Sequence, residues 1–234
     1  EWMVGFQIEI TGYDGDDEWL EMYTGRDVAP GLFAWVIPNG DTHRIGMWAL
    51  PDDLGGHSCE EFVDNLMNHP LWRHKFVNCR ETARYCGPIP AGMVRRPYAE
   101  RVLLVGDAAG LAKPTTGGGI GPGFKQVDLL HEALSNAISQ DSLSMRKMRK
   151  ICRPLEQMRR EQQRSRALRD FFVTSRSDAE LHHHFELFAK PEVIELINSQ
   201  GDIERPASLG IALLKEVPEF RKIALKAGFA MMFG

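Results

Sequence analysis

The amino-acid sequence predicts an α+β protein laid out in three successive regions, on the strength of three observations. Residues 1–50 alternate apolar and polar positions between Gly, Asp, Asn and Pro punctuation, the pattern of antiparallel strands. The stretch "VLLVGDAAGLAKPTTGGGIGPGF", Val102 to Phe124, joins a short apolar run to a glycine-rich loop and then to a helical repeat. From about residue 141 onward the chain reads as almost wholly helical.

In the first region, residues 1–98, the strand-like pieces are "WMVGFQIEI", "EWLEMYT", "LFAWVIP" and "HRIGMWAL", broken by "GYDGDD" and "PNGD". Ser58 followed by Glu61 forms a capping box that opens the amphipathic helix "CEEFVDNLMNH", and Pro70 closes it. The chain is extended again from Cys79 to Tyr98.

In the second region, residues 99–140, "VLLV" has the all-apolar pattern of a strand buried on both faces, which puts Asp107 just past its C-terminal end. Beyond the glycines, Phe124, Val127, Leu130, Leu134 and Ile138 recur at helical spacing. The third region, residues 141–234, begins with the basic stretch "MRKMRKICRPLEQMRREQQRSRALRDFF", read as a helix over 145–170. Ser177 with Glu180 is a second capping box, and Pro191, Pro206 and Pro218 mark later helix starts. The final stretch "FRKIALKAGFAMMFG" is amphipathic and suits a membrane surface or packing against another domain equally well.

Composition excludes several classes. At 234 residues, 43% hydrophobic and 26% charged, the chain is globular. A net charge of -4 opposes a general nucleic-acid binder, which needs a basic surplus. No apolar run reaches the roughly 18 to 20 residues of a membrane span. Cys59, Cys79, Cys86 and Cys152 form no tight CxxC pair and read as reduced thiols of a cytoplasmic protein. His182 to His184 have no partner ligands at metal spacing, so no metal site is expected. The chain begins at Glu1 inside a strand-like run, with neither initiator Met nor signal peptide, and is expected to be a piece of a longer one.

The glycine-rich loop is the chemical signal. Glycines leading into a helix expose backbone N–H groups, and the helix dipole adds about half a positive charge there. The loop lacks the Gly-Lys-Ser/Thr of a Walker A motif, and GxGxxG fails at every starting glycine. What remains is an acid at a strand end and an amide-lined helix start about ten residues later. The carboxylate suits a polyol, and the amides suit a negative charge arising on a ring during reduction.

"VGDAAGLAKPTTGGGIGPG" resembles the second flavin-binding motif of the p-hydroxybenzoate hydroxylase-like flavoproteins, and in its "GDAAG...P.TGGGI" form that of the geranylgeranyl reductase family. "PGLFAWVIP" is similar to that family's PxxYxWxFP stretch, with Phe33 in place of its tyrosine and Ile37 in place of its later phenylalanine. The resemblance spans roughly residues 1–140. It implies that residues 99–140 are the C-terminal part of a Rossmann-like FAD-binding domain and that residues 1–98 are an antiparallel substrate-binding domain. It implies FAD as cofactor, with Asp107 on the ribityl chain and nearby phosphate region. Pro114 and the loop Thr115, Gly117, Gly118, Gly119 and Ile120 would lie against the isoalloxazine. Pro30, Phe33, Trp35 and Pro38 would line the prenyl pocket.

The implied activity is saturation of the double bonds of a geranylgeranyl lipid by hydride from reduced flavin, with electrons from NADPH or a ferredoxin and no proton donor nameable. The family's N-terminal βαβ unit with GxGxxG would precede Glu1. A monooxygenase or halogenase of the same superfamily and a non-catalytic lipid-binding piece are the alternatives. The basic helix over 145–170 would give peripheral contact with anionic lipid, or else be a solvated face.

Overall fold

The computed structural model describes residues 1–174, 176–202 and 206–222. The chain divides into two compact units, Glu1–Ile89 with Val173–Leu181, and Pro90–Phe172 with His182 onward.

The first unit is a five-stranded sheet of β1 (Trp2–Thr11), β2 (Glu21–Gly25), β3 (Ala29–Asn39), β4 (Thr42–Ala49) and β5 (Arg80–Pro90), in the order β2-β3-β4-β1-β5. The pairs β2/β3, β3/β4 and β1/β4 are antiparallel, as the alternation and turn residues require. Every second residue faces one core: Phe6, Ile8 and Ile10, Ala34 and Val36, Ile45 and Met47 pack with Phe62, Val63 and Leu66 of α1 (Cys59–Asn68). Only the second half of "EWLEMYT" is strand, because Trp19 and Leu20 precede β2 and are exposed. Beside β2, Glu21 accepts hydrogen bonds from Tyr13 at 3.0 Å, from Tyr23, and from Lys75 at 2.7 Å. Burial alone would raise its carboxyl, but these three donors hold it below the usual range.

The capping box is present: the Ser58 hydroxyl accepts from the Glu61 N–H at 3.2 Å, and the Glu61 carboxylate accepts from the Ser58 N–H at 2.6 Å. Ser58→Ala is therefore expected to lower stability by about 1 kcal/mol, read as a fall in the urea midpoint with unchanged slope.

The second unit holds the short hairpin β6 (Tyr98–Ala99) and β7 (Val102–Leu103), then α2 (Ile120–Ser139), α3 (Met145–Ile151) and α4 (Leu155–Phe172). It also takes in α5 (Asp178–Phe188), whose first turn belongs to the sheet unit, α6 (Pro191–Gln200) and α7 (Pro206–Glu216). The second capping box forms, the Ser177 N–H donating to Glu180 at 2.9 Å. Pro191 and Pro206 open α6 and α7, where the missing N–H costs nothing. One core joins Leu111, Leu130, Met148, Leu155 and Met158; another joins Leu187, Val193, Leu196, Leu213 and Phe220.

Three expectations change. The "VLLV" run is not a strand buried on both faces: only Val102 and Leu103 pair, with the two-residue β6, and Val102 and Val105 are exposed. In α2 the buried positions are Pro122, Gln126, Leu130 and Ala137, while Phe124, Val127 and Ile138 face outward. The spacing gave the period correctly, but the phase is set by the packing of Leu130 and Ala137 into the core with Met148 and Leu155. The basic helix over 145–170 is two helices, α3 and α4, separated by Cys152–Pro154, since Pro154 has no N–H to continue α3. Among the described residues no helix is long and apolar enough to cross a membrane. The end of the amphipathic stretch, residues 223–234, lies outside the described residues.

Candidate functional site

The chain after β7 runs extended through Val105 and tightens into a 3-10 turn, Gly106–Ala109, that carries Asp107. Gly110, at φ 73°, ends the turn in the left-handed region that a side chain would strain. The glycine loop closes on itself: the Gly117 N–H donates to the Lys113 carbonyl at 2.8 Å, and the Lys113 N–H donates to Gly118 at 3.2 Å. The Thr116 hydroxyl accepts from the Gly118 N–H at 3.4 Å. Gly119 then caps α2 without any side-chain hydrogen bond, and no acidic residue occupies the first turn.

One approach ties this geometry together. A Cβ built on Gly119 would fall 2.8 Å from Asp107 Oδ1, so the carboxylate lies against the helix start although twelve positions separate the two. Asp107 is itself exposed, as are Gly118 and Ile120, whereas Pro114 is buried and Thr115, Gly117 and Gly119 are half-buried. An exposed carboxylate beside uncapped helix amides can accept from hydroxyls while the amides donate to an anion or carbonyl, the donor set that a flavin nucleotide asks for.

Two supporting side chains were not legible in the sequence. Gln126, fully buried on α2, donates to the Leu104 carbonyl at 2.9 Å and accepts from the Gly106 N–H at 3.0 Å. It clamps the backbone on both sides of Val105, immediately before Asp107. Arg169 of α4 is 3% exposed, donating to Asp170 at 2.9 Å and to the Pro114 carbonyl at 3.4 Å. No spacing or motif marks either residue in the sequence, and only burial distinguishes them.

The aromatic residues belong to the first unit. Phe33, Trp35 and Ile37 point to the sheet face opposite Leu32, Ala34 and Val36, which are in the core, so Phe33 and Trp35 are half-buried rather than core residues. Trp35 donates its indole N–H to Gln7 at 3.3 Å, and its ring lies across Gly46, where a Cβ would meet Trp35 Cζ2 at 2.5 Å. Phe33 is edge-on to Trp35 at 6.1 Å and to Trp48, its β4 neighbour, at 5.6 Å. Trp48, which the sequence marks only as part of a strand, stands beside Phe33 on the same sheet face. It is 1% exposed, and its Nε1 has no hydrogen-bond partner among the described residues. Pro30 is buried near the start of β3 and Pro38 half-buried near its end.

No cluster of metal-ligating side chains occurs among the described residues. His182 and His183 pair with Glu186, and His184 meets the Phe172 carbonyl at 3.0 Å. All four cysteines are free, and burial pushes the thiols of Cys59, Cys79 and Cys152 up to about 11, leaving no thiolate nucleophile among the three.

No family model matches the chain. It is 30% identical over 192 residues to digeranylgeranylglycerophospholipid reductase 1 of Methanothermobacter thermautotrophicus, covering 80% of this chain and 46% of that protein. The chain thus spans about half the length of the curated relatives it matches most fully, 53% in one case. Among solved structures, it is similar to a geranylgeranyl bacteriochlorophyll reductase-like protein of Thermoplasma acidophilum, with a TM-score of 0.71 at 19% identity over 95% of this chain and 54% of that one. A flavin-dependent brominase matches with a TM-score of 0.60 at 15% identity over 93% of this chain and 56% of its own. At these identities the structural likenesses show a shared mixed α/β fold and nothing beyond it.

Proposed function

We propose, from its 30% identity to a digeranylgeranylglycerophospholipid reductase, that the chain forms the substrate-binding and flavin-ring half of an FAD-dependent reductase of isoprenoid lipids. The observation that carries the reading is the close approach of Asp107 to Gly119, which sets a carboxylate beside uncapped helix amides.

In this reading Asp107 holds the polyol side of FAD, and the loop Thr115, Gly117, Gly118, Gly119 and Ile120, backed by Pro114, lies along the ring. Bound FAD supplies hydride chemistry. The amides of Gly119 and Ile120 present fixed donors to negative charge, which costs no reorganisation when that charge develops. Phe33 and Trp35, with the buried Trp48 behind Phe33, offer an apolar aromatic surface that excludes water from a hydrocarbon and orients it by contact alone. Electrons come from NADPH or a ferredoxin.

The test is anaerobic incubation of the flavin-loaded protein with a reductant and a geranylgeranyl glycerophospholipid, followed by mass spectrometry. Gain of hydrogen pairs supports the reading. A product that forms only in air and carries oxygen or halogen would move the protein to the monooxygenases or halogenases. Trp35→Ala is expected to weaken prenyl-lipid binding roughly 10- to 100-fold with flavin affinity unchanged, from loss of a large aromatic contact. Equal loss of both would show that Trp35 acts through the fold.

A further inference from the structure

The break between α3 and α4 leaves an open groove of about 810 Å3 on the second unit, away from the glycine loop's own residues. Lys150 and Arg153 line it together with Arg160 and Arg164 of α4, and Glu156 and Glu161 are its acids. Both acids are already engaged: Glu156 accepts from Arg159 and Glu161 from Lys125, each at 2.8 Å. The four cations are exposed, and among the described residues none forms an ion pair. Arg160 and Arg164 stand one helical turn apart, a spacing at which like charges repel. The chain carries a net charge of -4, so this is a local concentration of positive charge against the sign of the whole. Such a groove is relieved by a ligand that brings phosphate to it, and guanidinium forks match phosphate oxygens two at a time.

We propose that the groove between α3 and α4 seats the phosphate of anionic phospholipid headgroups and thereby holds the protein on a bilayer surface. A nucleic acid would bring phosphates in series and extend them over the negatively charged remainder of the chain, whereas a headgroup brings one at a time. The choice of a lipid over another phosphate ester rests on the lipid substrate proposed above; the anion chemistry does not.

The test is co-sedimentation of the full chain with vesicles of phosphatidylcholine alone or with phosphatidylglycerol added, in the absence of flavin and prenyl lipid. Two double variants are compared, Arg160→Gln with Arg164→Gln in the groove, and Arg73→Gln with Arg80→Gln as a charge-matched control in the sheet unit. The expected result is binding only to the anionic vesicles, lost roughly thirtyfold in the groove variant and unchanged in the control. Equal losses in the two variants, no preference for anionic vesicles, displacement by millimolar inorganic phosphate, or tighter binding of an RNA oligonucleotide would each overturn the proposal. Because no turnover is measured, these outcomes leave the reductase reading standing, and failure of prenyl reduction with intact vesicle binding would overturn that reading alone.

Discussion

Asp107→Ala is expected to weaken FAD binding about 10- to 100-fold, the loss that follows when a charged hydrogen-bond acceptor is removed from a ligand. Titration by quenching of flavin fluorescence measures it. The side chain is exposed, so thermal stability should stay within about 0.5 kcal/mol of the parent. Loss of affinity with stability intact is the signature of a residue that touches the ligand. Asp107→Asn keeps the shape and part of the hydrogen bonding, and its affinity is expected between those of the parent and the Ala variant. Unchanged affinity in the Ala variant would remove Asp107 from the site and leave the amide-lined helix start alone.

Gln126→Ala is expected to have the opposite signature, a loss of roughly 2 to 4 kcal/mol in stability. Two backbone groups, the Leu104 carbonyl and the Gly106 N–H, lose their side-chain partner, and the amide leaves a void in a fully buried position. Gln126→Leu separates the two causes. It refills most of the volume without restoring either hydrogen bond, so a loss nearly as large as that of the Ala variant would assign the effect to the unpaired groups. Urea unfolding measures both. Flavin affinity should also fall several-fold in each, because the clamp precedes Asp107 directly. If Leu restores parental stability, Gln126 is a packing residue and the clamp is not what positions the turn.

These two residues show how differently parts of the site declare themselves. Asp107 is announced by neighbours in sequence: an apolar run before it and glycines after it. Gln126 carries no such mark, because a glutamine in a helix is ordinarily a solvated residue. The same division runs through the aromatic wall. Alternation along "PGLFAWVIP" separates Phe33 and Trp35 from Leu32 and Ala34, but alternation does not say which set faces the core. Trp48 enters only through the register that sets it opposite Phe33 on the adjacent strand.

The sequence by itself determined the antiparallel strands, both capping boxes, the proline-marked helix starts, and the strand, loop and helix order around Asp107. Each is marked by a pattern within a few residues, alternation for the strands and capping or proline positions for the helices, while the strands' pairing partners come from further along the chain. The tertiary structure alone decided which face of α2 is buried, that "VLLV" pairs over two residues and leaves its ends exposed, and that the Asp107 carboxylate stands close to Gly119 at the start of α2. These are matters of phase and approach rather than period. They are fixed by groups far apart in the chain, such as Leu130 against Met148 and Gln126 against Gly106, and no local pattern can specify a partner that folding brings from a distance.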